Sequence, residues 1–140
     1  MLKSFRELEV WQKAHALVLD IYRVTDRFLD RERFGITSQL RRAATSVPAN
    51  IAEGFARRTT AEFLQFLGVS NASLEEARYF LLLSRDLCYL AAPSYNPLEK
   101  QADSIAQMLA ALSRSLRNRS QFGRGTRNAG RGSRVAGSKR

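Results

Sequence analysis

The helical spacing of apolar residues is the feature that most restricts how this chain can fold. Four stretches place apolar side chains at positions i, i+3 and i+4, which lie on one face of an α-helix. These stretches predict helices over about residues 9–28, 36–55, 60–90 and 97–117. Short connections favour antiparallel neighbours. We therefore expect an all-α fold, an antiparallel up-down-up-down four-helix bundle.

Turn and cap signals separate the four stretches. The segment Asp30–Gly35 interrupts the apolar pattern and indicates a turn. Thr59 begins a Thr-x-x-Glu capping box, which predicts the start of the third helix. Asn96 followed by Pro97 is typical of a helix N-cap and first helical position. Pro48 lies inside the second helix, where we expect a kink.

The positive charge of the chain is concentrated at its C-terminal end. Of the 23 Lys and Arg residues, 16 lie in residues 1–117 together with all 13 Asp and Glu residues. Residues 118–140 carry the other seven cations, no acid and five of the eight glycines. Such a segment buries too little apolar surface to offset its ordering entropy. We expect a bundle domain over 1–117 and a disordered Gly/Arg-rich basic tail over 118–140.

The third helix carries a second apolar stripe beside its core stripe. A helix at the edge of a monomeric bundle needs one such stripe, and two indicate contacts on two sides. The second stripe predicts an oligomer interface, although a helix at the centre of a monomer would have the same pattern. Its candidate interface residues are Phe66, Val69, Phe80, Leu83 and Leu87.

The residues that catalysis or metal binding would need are scarce in this chain. His15 and Cys88 are the only histidine and the only cysteine, too few for a zinc cluster. A phosphate-binding GxxxxGK[ST] loop is absent from the sequence. We therefore expect a protein that is not an enzyme and has no metal or cofactor, with Cys88 packed in the third helix. The lone cysteine favours the reducing cytoplasm, and no apolar run is long enough to span a membrane.

Arginine residues are the strongest functional signal in the sequence. Guanidinium groups bind phosphate bidentately, and flexible Gly/Arg segments follow a nucleic-acid backbone. The predicted contacts to nucleic acid are Arg41, Arg42, Arg57, Arg58, Arg119, Arg124, Arg127, Arg131, Arg134, Lys139 and Arg140. The alternatives are a solvated face whose arginines pair with Glu53 or Glu62, and a tail that serves solubility or degradation.

The second helix also carries a polar stripe, predicted to lie away from the core. A fully solvated face would explain it equally well. Its members are Gln39, Arg42, Ser46, Asn50 and Glu53, of which Asn50 could bond Glu53 or backbone groups near the proline.

Several segments resemble a known family. Phe5–Ala14 is similar to its opening motif, and Thr37–Gly54, TSQLRRAATSVPANIAEG, is similar to its central signature. Glu62–Leu64 and Ser73–Glu76 resemble parts of its third helix. The family is that of the four-helix bundle proteins encoded within intervening sequences of bacterial large-subunit ribosomal RNA genes. The resemblance covers about residues 5–116 and does not include the tail.

The resemblance implies a left-handed antiparallel bundle that assembles into a ring-like homopentamer. It also relates the chain distantly to the accessory protein of diversity-generating retroelements, a basic pentamer that binds nucleic acid and a reverse transcriptase. Charge and resemblance together predict an oligomeric nucleic-acid-binding scaffold, with RNA the favoured partner. The alternatives are a protein-interaction adaptor, such as an accessory subunit of a reverse transcriptase, and the product of a selfish element with no strong cellular function.

Overall fold

Four α-helices make up nearly all of the computed structural model, which describes the backbone of residues 1–135 and the side chains of residues 1–120. The helices are α1 (Glu9–Thr25), α2 (Ile36–Phe55), α3 (Thr60–Asp86) and α4 (Ala92–Val135). Short 3-10 turns at Phe5–Glu7 and Asp30–Glu32 precede α1 and α2. Over the described backbone there is no strand, and the prediction of an all-α fold is confirmed. The tail predicted to be disordered spans residues 118–140. The backbone of α4 continues through it to Val135, its side chains are described only to residue 120, and residues 136–140 lie outside the described backbone.

The helices form an antiparallel four-helix bundle. Each helix packs against the next along the chain, and α1 also packs against α4. Polar contacts fix the register between neighbours: Gln101 of α4 donates to Asp20 of α1 at 3.1 Å. Arg78 of α3 pairs with Glu99 of α4 at 2.5 Å. The turn between α2 and α3 therefore lies at the same end of the bundle as the N-terminus and the stretch of α4 around residue 117.

The apolar stripes that define the helices in the sequence meet in one core. Burying each such side chain contributes about 1.5–3 kcal/mol, so the core is the main stabilising term. Polar residues are accordingly confined to the outer faces and the seams. The largest fully buried apolar side chains are Leu17, Ile21, Leu40, Val47, Ile51, Leu67, Leu74, Leu81, Ile105 and Leu109. Within the described part of the chain, none of the helices is long and apolar enough to cross a membrane.

Thr59 caps α3 as the sequence predicts, because its hydroxyl accepts the Glu62 N–H at 3.2 Å. The end of α3 differs from the prediction. Cys88 adopts a left-handed backbone conformation with φ 64°, and the Tyr89 N–H then bonds the Ser84 carbonyl at 2.8 Å. This is a Schellman motif, in which glycine is the usual left-handed residue. Cys88 is exposed, so the prediction that it packs inside the third helix is wrong.

The start of α4 also differs from the prediction. The helix begins at Ala92, so Asn96 and Pro97 lie inside it instead of forming its cap. Proline at this position removes one backbone hydrogen bond. The earlier start buries Tyr95 and Leu98 in the core, and this burial outweighs the loss of one hydrogen bond.

A polar seam joins α2 to α3 beside Pro48. The Ser70 hydroxyl donates to the Val47 carbonyl at 2.9 Å, and the Ser46 and Ser73 hydroxyls lie 2.8 Å apart. Asn50 donates to the Ser46 carbonyl at 2.8 Å. Part of the predicted polar stripe of α2 therefore faces α3, and Asn50 bonds a backbone group near the proline instead of Glu53.

Gly54 allows the closest approach between α2 and α3. A Cβ atom built on Gly54 would lie 2.8 Å from Cβ of Phe66 and 2.9 Å from Cδ1 of Phe63. The Cβ of Phe66 is attached directly to the backbone of α3, so it cannot move away without shifting that helix. A residue without a side chain is therefore required here.

We expect Gly54→Ala to lower the free energy of unfolding by about 1–3 kcal/mol, because the added methyl group overpacks the α2–α3 seam. The matched control is Gly68→Ala on α3, where an added Cβ meets nothing within 4 Å. That control should raise stability by about 1 kcal/mol through helix propensity. Urea denaturation measures both changes, and equal effects of the two substitutions would contradict the close-approach argument.

Candidate nucleic-acid interface

Basic side chains gather at the end of the bundle where α2 turns into α3. Arg57 and Arg58 lie in this turn and are exposed. Arg117 and Arg119 of α4 are exposed at the same end. Together with Arg114 one turn earlier on α4, they form what we call the basic end. Ion pairs among the described residues involve other arginines, and none joins a residue of the basic end to a carboxylate.

Arg57 is positioned by an aromatic ring. Its guanidinium carbon lies 4.7 Å from the centre of the Phe66 ring, a cation–π contact that orients the group without neutralising its charge. Phe66 is one of the residues that surround Gly54, so the close helix approach also places this arginine. The alternative, in which Arg57 and Arg58 pair with Glu53 or Glu62, is not found among the ion pairs of the described residues.

Arg114 and Arg117 were not singled out from the sequence. They lie three residues apart on α4 and, with Gly68, Asn71 and Ser113, line a groove of about 390 Å³ between α3 and α4. Their i, i+3 spacing signals a shared helix face. Only the tertiary structure shows that this face adjoins the turn containing Arg57.

Arg41 lies far from the basic end and is held by α1. Its Nε donates to the Thr25 hydroxyl at 2.8 Å, and its Nη2 donates to Asp26 at 3.0 Å and to the Tyr22 carbonyl at 3.3 Å. The guanidinium also lies 4.4 Å from the centre of the Tyr22 ring. These contacts join α2 to the last turn of α1. The other terminal nitrogen of Arg41, Nη1, has no hydrogen-bond partner among the described residues.

Arg42 is exposed and lines two neighbouring depressions on the outer side of α2. One is a groove of about 570 Å³ between α2 and α3, which it shares with Gln39, Ser46, Ser73 and Glu76. The other is a cavity of about 300 Å³ between α1 and α2. The predicted sites at Arg124, Arg127, Arg131, Arg134, Lys139 and Arg140 lie outside the described side chains.

The α1–α2 cavity has an unusual lining, with three arginines, four hydroxyl groups and no carboxylate. Thr37 contributes one hydroxyl, is 7% exposed, and has no hydrogen-bond partner for its Oγ1 among the described residues. A buried hydroxyl without a partner costs about 1–3 kcal/mol. The residues lining this cavity are Tyr22, Arg33, Phe34, Thr37, Ser38, Arg41, Arg42 and Thr45.

Several acidic residues elsewhere have structural partners. Arg78 of α3 contacts Glu75, Glu99 and Asp103, and so joins α3 to α4. The hydrogen bond to Glu99 is the largest cause that raises the pKa of the Arg78 guanidinium above its ordinary value. Among the described residues, no cluster of three or more His, Cys, Asp or Glu side chains could hold a metal ion.

Comparison with known proteins identifies the family of this chain. A family model described as "23S rRNA-intervening sequence protein" matches residues 6–111. The chain belongs to this family. The matched region ends before Arg114. Of the basic end, Arg57 and Arg58 lie inside this region, and the three arginines of α4 lie outside it.

A solved structure shares the fold of this 23S rRNA-intervening sequence family member. It is a protein of unknown function from the S23 ribosomal protein family of Bacteroides thetaiotaomicron VPI-5482. The TM-score is 0.70 at 22% sequence identity, and the alignment covers 74% of this chain and 97% of that chain. At this identity the likeness shows the fold alone. No functionally curated protein matches the chain.

The predicted interface stripe of α3 is partly exposed in this family member. Val69 is 50% exposed and Leu87 is 49% exposed, while Phe66, Phe80 and Leu83 are half-buried. Phe80 packs partly against the core. The stripe therefore offers an apolar strip along one edge of the bundle, between the core and solvent.

We expect Thr37→Val to raise the free energy of unfolding by about 1 kcal/mol, because it removes a buried hydroxyl that has no partner and keeps the side-chain shape. Thr25→Val is the matched control. The Thr25 hydroxyl donates to the Ile21 carbonyl at 2.7 Å and accepts from Arg41, so its loss should lower stability by about 1–2 kcal/mol. Thermal or urea denaturation measures both, and a destabilised Thr37→Val protein would contradict this account of the cavity.

Proposed function

We propose that this protein is a non-enzymatic, oligomeric scaffold that binds nucleic acid, with RNA as the favoured partner. The observation that carries the proposal is the basic end, where Arg57, Arg58, Arg114, Arg117 and Arg119 converge without carboxylate partners. Unpaired guanidinium groups at one end of a rigid bundle attract a polyanion and bind its phosphates.

The rest of the charge distribution supports the same function. Beyond Arg119 the chain adds six more cations and no acid, and the first four of them belong to the residues of α4. The basic end also has Glu53 and Glu62 beside its turn, but its five arginines outnumber them. The opposite end of the bundle mixes Arg23, Arg27 and Arg85 with Asp26 and Asp86. Attraction of a polyanion is therefore directed to one end of the molecule.

RNA is favoured over DNA because of the family. Its description refers to intervening sequences of 23S rRNA, and a protein encoded there is made in the presence of structured RNA. Proteins recognise such RNA mostly by shape and by phosphate contacts. The basic end needs no base-reading side chains for this mode of binding.

The first test replaces the cations of the turn. We expect Arg57→Gln with Arg58→Gln to weaken binding to a structured RNA and to reduce the slope of log affinity against log salt by about one to two, since each phosphate contact releases counterions. Fluorescence anisotropy at several salt concentrations measures both. Removal of residues 118–140 should reduce the slope further.

The matched control is Arg27→Gln with Arg31→Gln, which removes the same charge at the opposite end of the bundle. Both residues are exposed and neither takes part in an ion pair among the described residues. Equal losses in the two double variants would show attraction by net charge alone and would remove the basic end from the proposal.

The α3 stripe favours a second candidate function, a protein-interaction adaptor that assembles through Val69, Leu83 and Leu87. Exposed apolar strips of this kind mark protein contacts. A second copy of this chain is the first partner to test, because self-association through the stripe would make the basic ends act together. An accessory subunit docking on a polymerase remains the alternative partner.

We expect light scattering to give a mass several times 15.8 kDa for the intact chain. Val69→Glu with Leu87→Glu should reduce this mass to that of a monomer, because a buried carboxylate in an apolar contact is costly. Leu19→Glu with Leu29→Glu is the matched control, as these side chains are similarly exposed but lie outside the stripe. A monomeric wild-type protein would rule out self-association through α3.

A further inference from the structure

The α1–α2 cavity is an open depression, and it differs from the basic end because its lining includes groups that the fold holds in place. Three arginines line it, and two of them have defined positions. Arg41 is fixed by Thr25, Asp26 and the Tyr22 carbonyl through Nε and Nη2, so Nη1 can serve a ligand without breaking any of these bonds. Arg33 lies over the ring of Phe34 at 5.6 Å.

Hydroxyl groups supply the remaining polar lining. Thr37 is buried, and its Oγ1 has no partner among the described residues, although buried polar groups in proteins are nearly always paired. Ser38 follows it along the first turn of α2 and also lines the cavity. A ligand that accepts hydrogen bonds would complete this lining.

The start of α2 adds to the positive potential of the cavity. The helix begins at Ile36, and its N-cap residue, Gly35, provides no side-chain cap. The N-terminal end of this 20-residue helix carries partial positive charge. Glu32 approaches only the first helical N–H, with its Oε2 3.5 Å from the Ile36 nitrogen. Its other oxygen accepts from Tyr89 at 3.0 Å.

The carboxylates near the cavity line a neighbouring depression. Asp26 and Asp30 lie there, Asp26 contacts Arg41, and the two depressions share Arg33, Thr37 and Arg41. Glu32 does not line the cavity either. Three guanidinium groups and four hydroxyl groups line the cavity without an acid. Such a lining matches an anion with several oxygen atoms, as in a phosphate group.

An aromatic ring adjoins this phosphate-sized site. Phe34 is 89% exposed, the largest exposure of any aromatic side chain among the described residues. It lines both the cavity and the larger α2–α3 groove. That groove places Gln39, Ser73 and Glu76 within reach of a group stacked on the ring. An exposed ring beside a phosphate site is the arrangement by which proteins hold a nucleotide.

We propose that the α1–α2 cavity binds one nucleotide unit, with the phosphate held by Arg33, Arg41 and Arg42 and the base stacked on Phe34. The site deepens the proposed function and rests on it only for the statement that the nucleotide belongs to a nucleic-acid strand. It would give the scaffold one defined contact in addition to the diffuse attraction of the basic end.

The test uses the full chain with adenosine 5′-monophosphate, adenosine and inorganic phosphate as separate probes. Titration calorimetry and amide NMR shifts should show saturable binding of the monophosphate, with the largest shifts at Thr37 and Ser38. Adenosine should bind at least tenfold more weakly, because it lacks the charge-assisted hydrogen bonds. Equal binding of adenosine and the monophosphate would overturn the proposal.

Variants separate the parts of the site. Arg42→Gln should weaken monophosphate binding at least tenfold, whereas Arg27→Gln, which removes one charge outside the cavity, should leave it unchanged. Phe34→Ala should weaken the monophosphate by about tenfold and leave inorganic phosphate unchanged. Thr37→Val should weaken both phosphate-bearing probes while the melting temperature does not fall. Equal losses for Arg42→Gln and Arg27→Gln would mean attraction by net charge only and would overturn the site.

A pair of oligonucleotides shows whether the pocket binds the end of a strand or its interior. A 5′-phosphorylated hexamer that binds at least tenfold more tightly than the 5′-hydroxyl hexamer assigns the pocket to a terminal phosphate, and equal affinities, both reduced by Arg42→Gln, assign it to an internal phosphodiester.

The proposed function can fail independently of the pocket. Monophosphate binding without any affinity for RNA would leave the pocket and remove the scaffold role, whereas RNA binding that depends on Arg57 and Arg58 without monophosphate binding would do the reverse.

Discussion

The packing of α2 against α3 is the contact on which the rest of the structure depends. Gly54 lets the two helices approach until Phe63 and Phe66 meet its Cα, and the Ser70 hydroxyl bonds the Val47 carbonyl on the same seam. This contact sets the turn that carries Arg57 and Arg58. Further along the seam, the Ser46 and Ser73 hydroxyls lie 2.8 Å apart and line a polar groove.

The arginines of this protein fall into two groups that composition does not distinguish. Some have carboxylate partners: Arg78 joins α3 to α4, and Arg41 joins α2 to α1. Others, including Arg57 and Arg117, have no such partner among the described residues. A paired guanidinium contributes to the bundle, whereas an unpaired one at the surface is solvated and available to an anion. The functional proposals therefore follow from pairing, and the net charge of +10 alone would not support them.

The two proposed contacts to nucleic acid differ in their physical basis. The basic end offers charge at the end of a bundle, where many orientations of a polyanion are equivalent. The α1–α2 cavity offers groups in defined positions. Arg41 is fixed by three hydrogen-bond partners, and the buried Thr37 hydroxyl has no partner among the described residues. Diffuse charge supplies attraction and a defined pocket supplies orientation. A scaffold that positions RNA needs both.

Periodicity, turn residues and charge determined much of this protein from the sequence. The spacing of Leu40, Val47 and Ile51 predicts the bounds of α2, because apolar residues every three or four positions have only one way to reach a common core. Thr59 predicts the start of α3 for an equally local reason. The sequence also shows that cations without acids gather in the last 23 residues.

Tertiary packing decided what local signals could not. Cys88 ends α3 in a conformation that glycine normally takes, and α4 starts before Pro97 because Tyr95 and Leu98 gain burial there. The partners of Arg41 lie 15 to 19 residues away along the chain. Whether an arginine is paired, or a hydroxyl such as that of Thr37 is left without a partner, depends on distances between helices. Such distances arise only when the bundle closes, since side-chain identity and spacing describe one helix at a time.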